Sequence, residues 1–285
     1  MNVFYLICII VGVTSQNVLK KKYSKNKEKG VYFFNVVVSF SAMMFFVVSA
    51  IMIKGGLDWK LSVLPYSIAF AVSYALSAIS SLTAISCGSL SLTSLIIQYS
   101  LLLPTGYGLF FLNDNISAGL IPGIFLLIIS LMLINKKGDG IVFSLKWLIS
   151  VFVAFFGNGM CSVIQKIQQI NFDCAYKDEF MIIALLIVCG ISIVLSVTNE
   201  RKEIISCAKS GLILGLICGI MNGMVNLFVM ILSGLMPVSL MFPLISSGGI
   251  ITTYLVSKFI YKEKLNKVQF IGFILGISSV ILLNI

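Results

Sequence analysis

Amide and hydroxyl side chains recur inside stretches that are otherwise apolar, and they are the residues of this chain best placed to do chemistry. They are Gln16 and Asn17, then Tyr74 and Ser77, then Gln98 and Tyr99, then Asn158, Ser162 and Gln165, then Asn222 and Asn226, and finally Ser246, Ser247, Thr252 and Tyr254. The chemistry open to them is hydrogen bonding rather than proton transfer. An amide in hydrocarbon must find a partner or line a wet cavity, because leaving it unpaired costs several kcal/mol. Asn222 and Asn226 are one helical turn apart and therefore share a face. Two roles stay open for each of these groups: bridging one helix to another, or contacting a small polar solute.

Acid–base and metal chemistry lack their usual side chains. There is no histidine, and the acids Glu28, Asp58, Asp114, Asp139, Asp173, Asp178, Glu179, Glu200, Glu203 and Glu263 all fall between apolar stretches or at their ends. Hydrolases and carboxylate proton relays working inside a membrane need such groups at depth. A lysine serving as base for a serine is the remaining option, yet the lysines also sit at the ends of apolar stretches. No enzymatic activity, metal or cofactor is expected. The seven cysteines show neither paired nor metal-type spacing, and most lie in apolar stretches as small core residues.

These polar groups must be positioned by membrane spans. The chain is 59% apolar and 11% charged, with a mean hydropathy of +1.08, far from a soluble average. A span needs about 20 mostly apolar residues, and ten stretches qualify: 2–19, 31–53, 62–86, 91–112, 116–135, 146–165, 180–198, 209–232, 237–257 and 267–284. The third and fourth are read as two helices broken at Cys87–Leu90, since a single helix over both would overshoot a bilayer. Residues 2–18 lack a basic leading segment and a small-x-small cleavage site, so they read as a retained helix rather than a signal peptide.

Charge sets an orientation. All of the 20 basic residues except Lys54, Lys60, Lys166 and Lys177 fall on the side that follows the first span, beginning with Lys20, Lys21, Lys22, Lys25, Lys27 and Lys29. The positive-inside rule places that side in the cytoplasm and both chain ends outside it. Net charge of +10 would also suit a nucleic-acid binder, but lysines parcelled into short loops beside apolar spans fit anionic headgroups better. Lys166 and Lys258 lie near span ends, where snorkelling to headgroups competes with anion binding. Tyr5, Tyr32 and Tyr261 read as interfacial anchors.

A spacing recurs: Asp114, Gly123 and Asn135 in the first half return as Glu263, Gly272 and Asn284 in the second. That repetition suggests a duplicated bundle. An odd number of spans per copy turns the second copy upside down in the membrane. Small residues such as Gly12, Gly157, Gly159, Gly215, Gly219 and Gly223 would allow close helix approach. Pro104, Pro122, Pro237 and Pro243 free backbone carbonyls, and a hinge is expected from Pro243 to Gly248 and Gly249.

The run Ser246-Ser247-Gly248-Gly249, then Glu263-Lys264-Leu265, then Ile271-Gly272-Phe273-Ile274-Leu275-Gly276-Ile277 ending at Ile281-Leu282-Leu283-Asn284, resembles the last two helices of the drug/metabolite transporter superfamily. The first-half stretch from Thr83-Ala84-Ile85 through Pro104, Asp114 and Pro122-Gly123 to Asn135 resembles the matching part, so the likeness to EamA-type ten-helix members spans both halves. It implies an all-α integral membrane protein of ten transmembrane helices, built as two inverted five-helix repeats, 1–138 and 139–285, with a central cavity that opens to each side in turn. Small multidrug resistance proteins, four-helix relatives, carry a glutamate in the first helix, whereas the corresponding stretch here, Gly12 to Lys20, has no acid. The aromatic residue before their small-residue patch is here Ile245. Proton-coupled export of aromatic cations therefore loses its coupling carboxylate and its cation-binding face.

The resulting expectation is a multi-pass carrier for a small neutral or zwitterionic, amino-acid-like metabolite, probing both sides by alternating access. Gln16, Asn17, Tyr74, Gln98, Tyr99, Asn158, Ser162, Gln165, Asn222, Asn226, Ser246, Ser247 and Tyr254 are its expected substrate-binding residues, with Pro243, Gly248 and Gly249 gating. Efflux across a bacterial plasma membrane follows from the resemblance and from a composition with a single arginine, Arg201. Partners are the solute and a bilayer with anionic headgroups, without nucleic acid, the protein being a monomer or homodimer. A carrier or flippase of a lipid-linked or amphipathic substrate, a small-drug exporter, and a non-transporting accessory or receptor protein are the alternatives.

Overall fold

The computed structural model describes residues 2–25, 30–111, 144–201, 203–236, 238–262 and 266–282, with isolated positions between 119 and 133. Among these the regular elements are all helices. The first five helices are α1 (Asn2–Ser24), α2 (Val31–Lys54), α3 (Leu64–Cys87), α4 (Leu90–Gln98) and α5 (Leu102–Phe111). They are followed by α6 (Leu145–Asn171), α7 (Lys177–Asn199), α8 (Ile204–Leu235), α9 (Val238–Phe259) and α10 (Lys267–Leu282). Six helical stretches in the described part are long and apolar enough to cross a bilayer: Asn2–Ser24, Val31–Met52, Leu61–Cys87, Leu145–Asn171, Lys177–Asn199 and Ile204–Leu235. The fifth expected span, 116–135, and the motif residues Asp114, Asn135, Glu263 and Asn284 lie outside the described residues or largely so.

Local chemistry explains several boundaries. Ser89 and Ser144 accept the N–H groups of Leu92 and Trp147, capping α4 and α6. Gly55 ends α2 in the left-handed region, at φ 75°, where glycine carries no Cβ penalty. Between α3 and α4, Gly88 is extended and its carbonyl accepts Lys21 Nζ at 2.8 Å, with Ile85 O accepting the same amine at 3.2 Å. Lys21 thus satisfies carbonyls at the end of α3 instead of facing headgroups alone.

Two expected boundaries differ. The fourth span is not one helix: α4 tightens into a 3₁₀ turn at Tyr99–Leu101 before α5 begins. Pro104 supplies the reason, since it has no N–H for the Ser100 carbonyl and its ring crowds that group. The first helix also continues past residue 19, so that Lys20 and Lys21 stand on it and reach inward.

Packing is dominated by contacts between early and late helices. α1 lies against α8 and α9, α2 against α7 and α8, α3 against α6 and α7, and α4 against α6 and α9. Glycines permit the closest approaches. At Gly157 of α6 a Cβ would come within 2.8 Å of the Ser73 carbonyl oxygen of α3, and at Gly219 of α8 within 2.5 Å of the Val38 carbonyl oxygen of α2. At the outer surface Ile68, Val72 and Leu76 form an exposed stripe one turn apart on α3, as a lipid-facing helix should.

Two contacts reproduce each other across the halves. Ser130 Oγ donates to Gly272 O at 2.7 Å, and Ser279 Oγ donates to Gly123 O at 2.7 Å. Ser279 stands to Gly272 as Ser130 stands to Gly123 in sequence, so the recurring glycines each accept the hydroxyl of the other half.

α7 fastens both ends of α2. Glu200, just past α7 and 8% exposed, accepts the N–H groups of Tyr32 at 3.0 Å and Phe33 at 2.9 Å. Burial pushes its carboxyl above the ordinary range, and the backbone donors of Tyr32, Phe33 and Val31 pull it back. At the opposite end Ser49 Oγ donates to Asp178 Oδ1 at 3.5 Å, and Asp58 N–H donates to Glu179 Oε1 at 3.1 Å. Removing the Glu200 carboxylate in Glu200→Ala should destabilise the protein by about 1–2 kcal/mol, the worth of a helix cap. A thermal unfolding curve in detergent unchanged by the substitution would contradict that role.

Candidate functional site

Six helices enclose a cavity of about 180 Å³. α1 contributes Ile9, Val13, Gln16, Asn17 and Lys20, and α3 contributes Tyr74, Ser77, Ala78 and Ser81. α4 and the 3₁₀ turn supply Ser94, Ile97, Gln98 and Ser100, and α6 supplies Asn158, Cys161, Ser162 and Gln165. Asn222, Val225, Asn226 and Val229 of α8, with Phe242, Ile245 and Ser246 of α9, complete the wall. The mixture suits a small solute: apolar surface for bulk, a few convergent polar groups for orientation.

One wall is a continuous hydrogen-bond network. Tyr74 OH donates to Asn222 Oδ1 at 2.8 Å, and Asn222 Nδ2 donates to Gln16 Oε1 at 3.0 Å. Asn226 Nδ2 donates to Asn222 Oδ1 at 3.1 Å, while its own Oδ1 accepts Gln165 Nε2 at 3.0 Å. α1, α3, α6 and α8 are therefore linked through Asn222 and Asn226, whose shared face put both amides into one network. The opposite wall is tied by separate bonds. Asn17 Nδ2 donates to Ser94 Oγ at 3.1 Å, and Asn158 Nδ2 donates to Ser100 Oγ at 2.6 Å. Gln98 is different, because its Nε2 is buried with no hydrogen-bond partner among the described residues.

Ten of the thirteen expected binding residues line this cavity: Gln16, Asn17, Tyr74, Gln98, Asn158, Ser162, Gln165, Asn222, Asn226 and Ser246. Three are placed elsewhere. Tyr99 is fully buried and shares a hydrogen bond of 2.9 Å with Ser130, toward the last helix. Tyr254 packs on Phe273, with ring centroids 4.4 Å apart. Ser247 turns to its own helix, donating to Leu244 O at 3.3 Å. Tyr99 follows Gln98 by about 100° of helical rotation, which turns it off the face that carries Ser94 and Gln98.

Of the expected gating residues, Gly248 faces the Ile10 side chain of α1 and Gly249 faces the Gln98 amide of α4. Pro243 lies in the second turn of α9, which continues through it to Phe259. Lys166 Nζ donates to Ser233 O at 3.3 Å, tying α6 to α8.

Lys20 differs most from expectation: its place in the basic run after the first span points to headgroups, yet its side chain lines the cavity and donates to Ser81 Oγ at 3.0 Å. A signal existed: Lys20 follows Gln16 by one helical turn, and Ser81 follows Ser77 in the same way, so each continues a face already marked as polar.

Fold and site together define a multi-span, mostly helical integral membrane protein with a polar cavity between its helices. No protein-family model matches the sequence, and no curated protein matches it either. The fold is nevertheless shared. A solved structure, described only as "Crystal structure of protein", aligns with a TM-score of 0.68 at 11% sequence identity, covering 99% of this chain and 95% of the other.

Proposed function

We propose that this protein is a carrier for a small polar metabolite, of the drug/metabolite transporter type, built as two inverted five-helix repeats over 1–138 and 139–285. The observation that carries the reading is the polar cavity walled by helices of both halves. Site placement at the interface of inverted repeats is how such carriers bind solutes near the bilayer midplane. The reciprocal Ser130–Gly272 and Ser279–Gly123 bonds support the two-fold relation. So do the glycine contacts, in which Gly12 of α1 faces Val225 of α8 as Gly157 of α6 faces Ser77 of α3.

In this reading the ten cavity residues bind the solute, and rocking of one half against the other exposes them to each side in turn. No chemical step and no cofactor is involved. Gly248 and Gly249 form part of the moving contact with α1 and α4. Gly248→Leu should reduce transport at unchanged expression, because its side chain would strike Ile10; wild-type flux in that variant would sink the gating role. Residence in a plasma membrane with both termini extracytoplasmic completes the proposal, and an inactive cytoplasmic reporter fused at Ile285 is its expected result.

The deciding experiment is counterflow in proteoliposomes with amino acids, sugars, quaternary cations and fluorescent lipids, with and without a pH gradient. Saturable flux of a small metabolite supports the carrier. Lipid scrambling without soluble flux would replace it with a lipid-handling protein.

A further inference from the structure

We infer that the cavity is an anion site: its solute carries a carboxylate or comparable oxyacid group, and Lys20 is the group that receives it. The inference deepens the carrier reading and rests on it for the cavity's purpose. Among the described cavity-lining residues Lys20 alone bears a formal charge, and no carboxylate accompanies it. Its ammonium, which has three protons to donate, makes one hydrogen bond among the described residues, to Ser81 Oγ at 3.0 Å. A cation removed from bulk water needs an opposing charge or further acceptors. Three of the cavity's amide oxygens, those of Gln16, Asn222 and Asn226, already receive internal bonds. Gln98 Nε2 adds a second donor without a partner among the described residues.

The first and sixth helices differ at this position. Aligning Gly12 with Gly157 sets Asn17 against Ser162 and Lys20 against Gln165. Lys20 joins the first helix of its half to the third through Ser81, and Gln165 does the same in the second half through Asn226, each at 3.0 Å. An uncharged amide thus suffices for the helix-bridging task. The lysine adds a positive charge that the bridge does not require, and the two-fold cavity becomes polarised toward one end. A volume of about 180 Å³ suits a small metabolite.

The test uses the full chain, purified in detergent and reconstituted, with five probes: L-lactate, L-alanine, inorganic phosphate, choline and glycerol. Wild-type protein should be stabilised thermally by lactate, alanine or phosphate but not by choline or glycerol, and the three anionic groups separate carboxylate from phosphate and acid from zwitterion. Lys20→Gln, which copies the second half, should weaken that stabilisation at least ten-fold in apparent affinity, and Lys20→Arg should retain most of it. Stabilisation of wild type by choline or glycerol alone, by none of the five, or equally in Lys20→Gln, overturns the inference. If Lys20→Gln does not fold, the wild-type pattern and Lys20→Arg decide. Counterflow separates the two readings: anion-dependent stabilisation without any flux leaves the site standing and removes the carrier, whereas flux indifferent to Lys20 removes only the anion site.

Discussion

Asn222→Ala is expected to abolish saturable flux, lowering it at least ten-fold, and to destabilise the protein as well. Asn222 is the junction of the cavity network, accepting from Tyr74 and Asn226 and donating to Gln16. Its truncation leaves the Tyr74 hydroxyl and the Gln16 carbonyl without their partners, while Asn226 keeps its bond to the backbone oxygen of residue 222 at 2.9 Å. Each unsatisfied group costs about 1–3 kcal/mol, less where cavity water replaces the lost partner. The total should be on the order of 3 kcal/mol. Tyr74→Phe provides the graded comparison, because it removes one donor and keeps the ring, and should cost only about 1 kcal/mol. Thermal unfolding in detergent orders the two variants, and counterflow reads function. Full flux in Asn222→Ala would falsify the assignment of this cavity as the solute path.

Two glycine-to-alanine substitutions should diverge in sign. At Gly219 a Cβ would lie 2.5 Å from the Val38 carbonyl oxygen and 2.5 Å from Ser41 Cβ. Neither neighbour is the end of a flexible chain, so α2 must retreat from α8. That retreat also strains the bond from Ser41 Oγ to Leu216 O, at 2.9 Å. Overpacking of this kind costs about 1–3 kcal/mol, and Gly219→Ala should lower the Tm and the yield of monodisperse protein. Gly190 lies within α7 with nothing inside 4 Å of its would-be Cβ. Gly190→Ala should therefore stabilise by about 0.5–1 kcal/mol through helix propensity. Equal shifts in the two variants would mean that helix propensity, and not the α2–α8 contact, governs both positions.

The contrast between these glycines illustrates how far pattern reading reaches. Gly219 belongs to the four-residue series with Gly215 and Gly223 that suits close helix approach and Gly190 does not, yet sequence does not say what either would meet. What separates them is the neighbour each meets, a backbone carbonyl in one case and open space in the other. The cavity residues fared better for a physical reason. An amide in a membrane span has few outcomes, and most of those named from sequence converge on the same space. Tyr99, Ser247 and Tyr254 did not, since hydroxyls can be satisfied on their own helix or within the core.

Sequence by itself determined that this chain is a helical membrane protein, because apolar length and the need to pair every backbone group leave no other architecture for it. Its spacing also marks Gly123 and Gly272 as recurring positions. Tertiary structure alone decided which side chains share a cavity, how Pro104 breaks the fourth span, and that Lys20 belongs to the interior rather than the headgroups. The reason is that helix periodicity fixes a residue's face, whereas the partner on that face is chosen by packing between segments far apart in the chain. For Lys20 that partner is Ser81, and no spacing along the chain records the 3.0 Å between them.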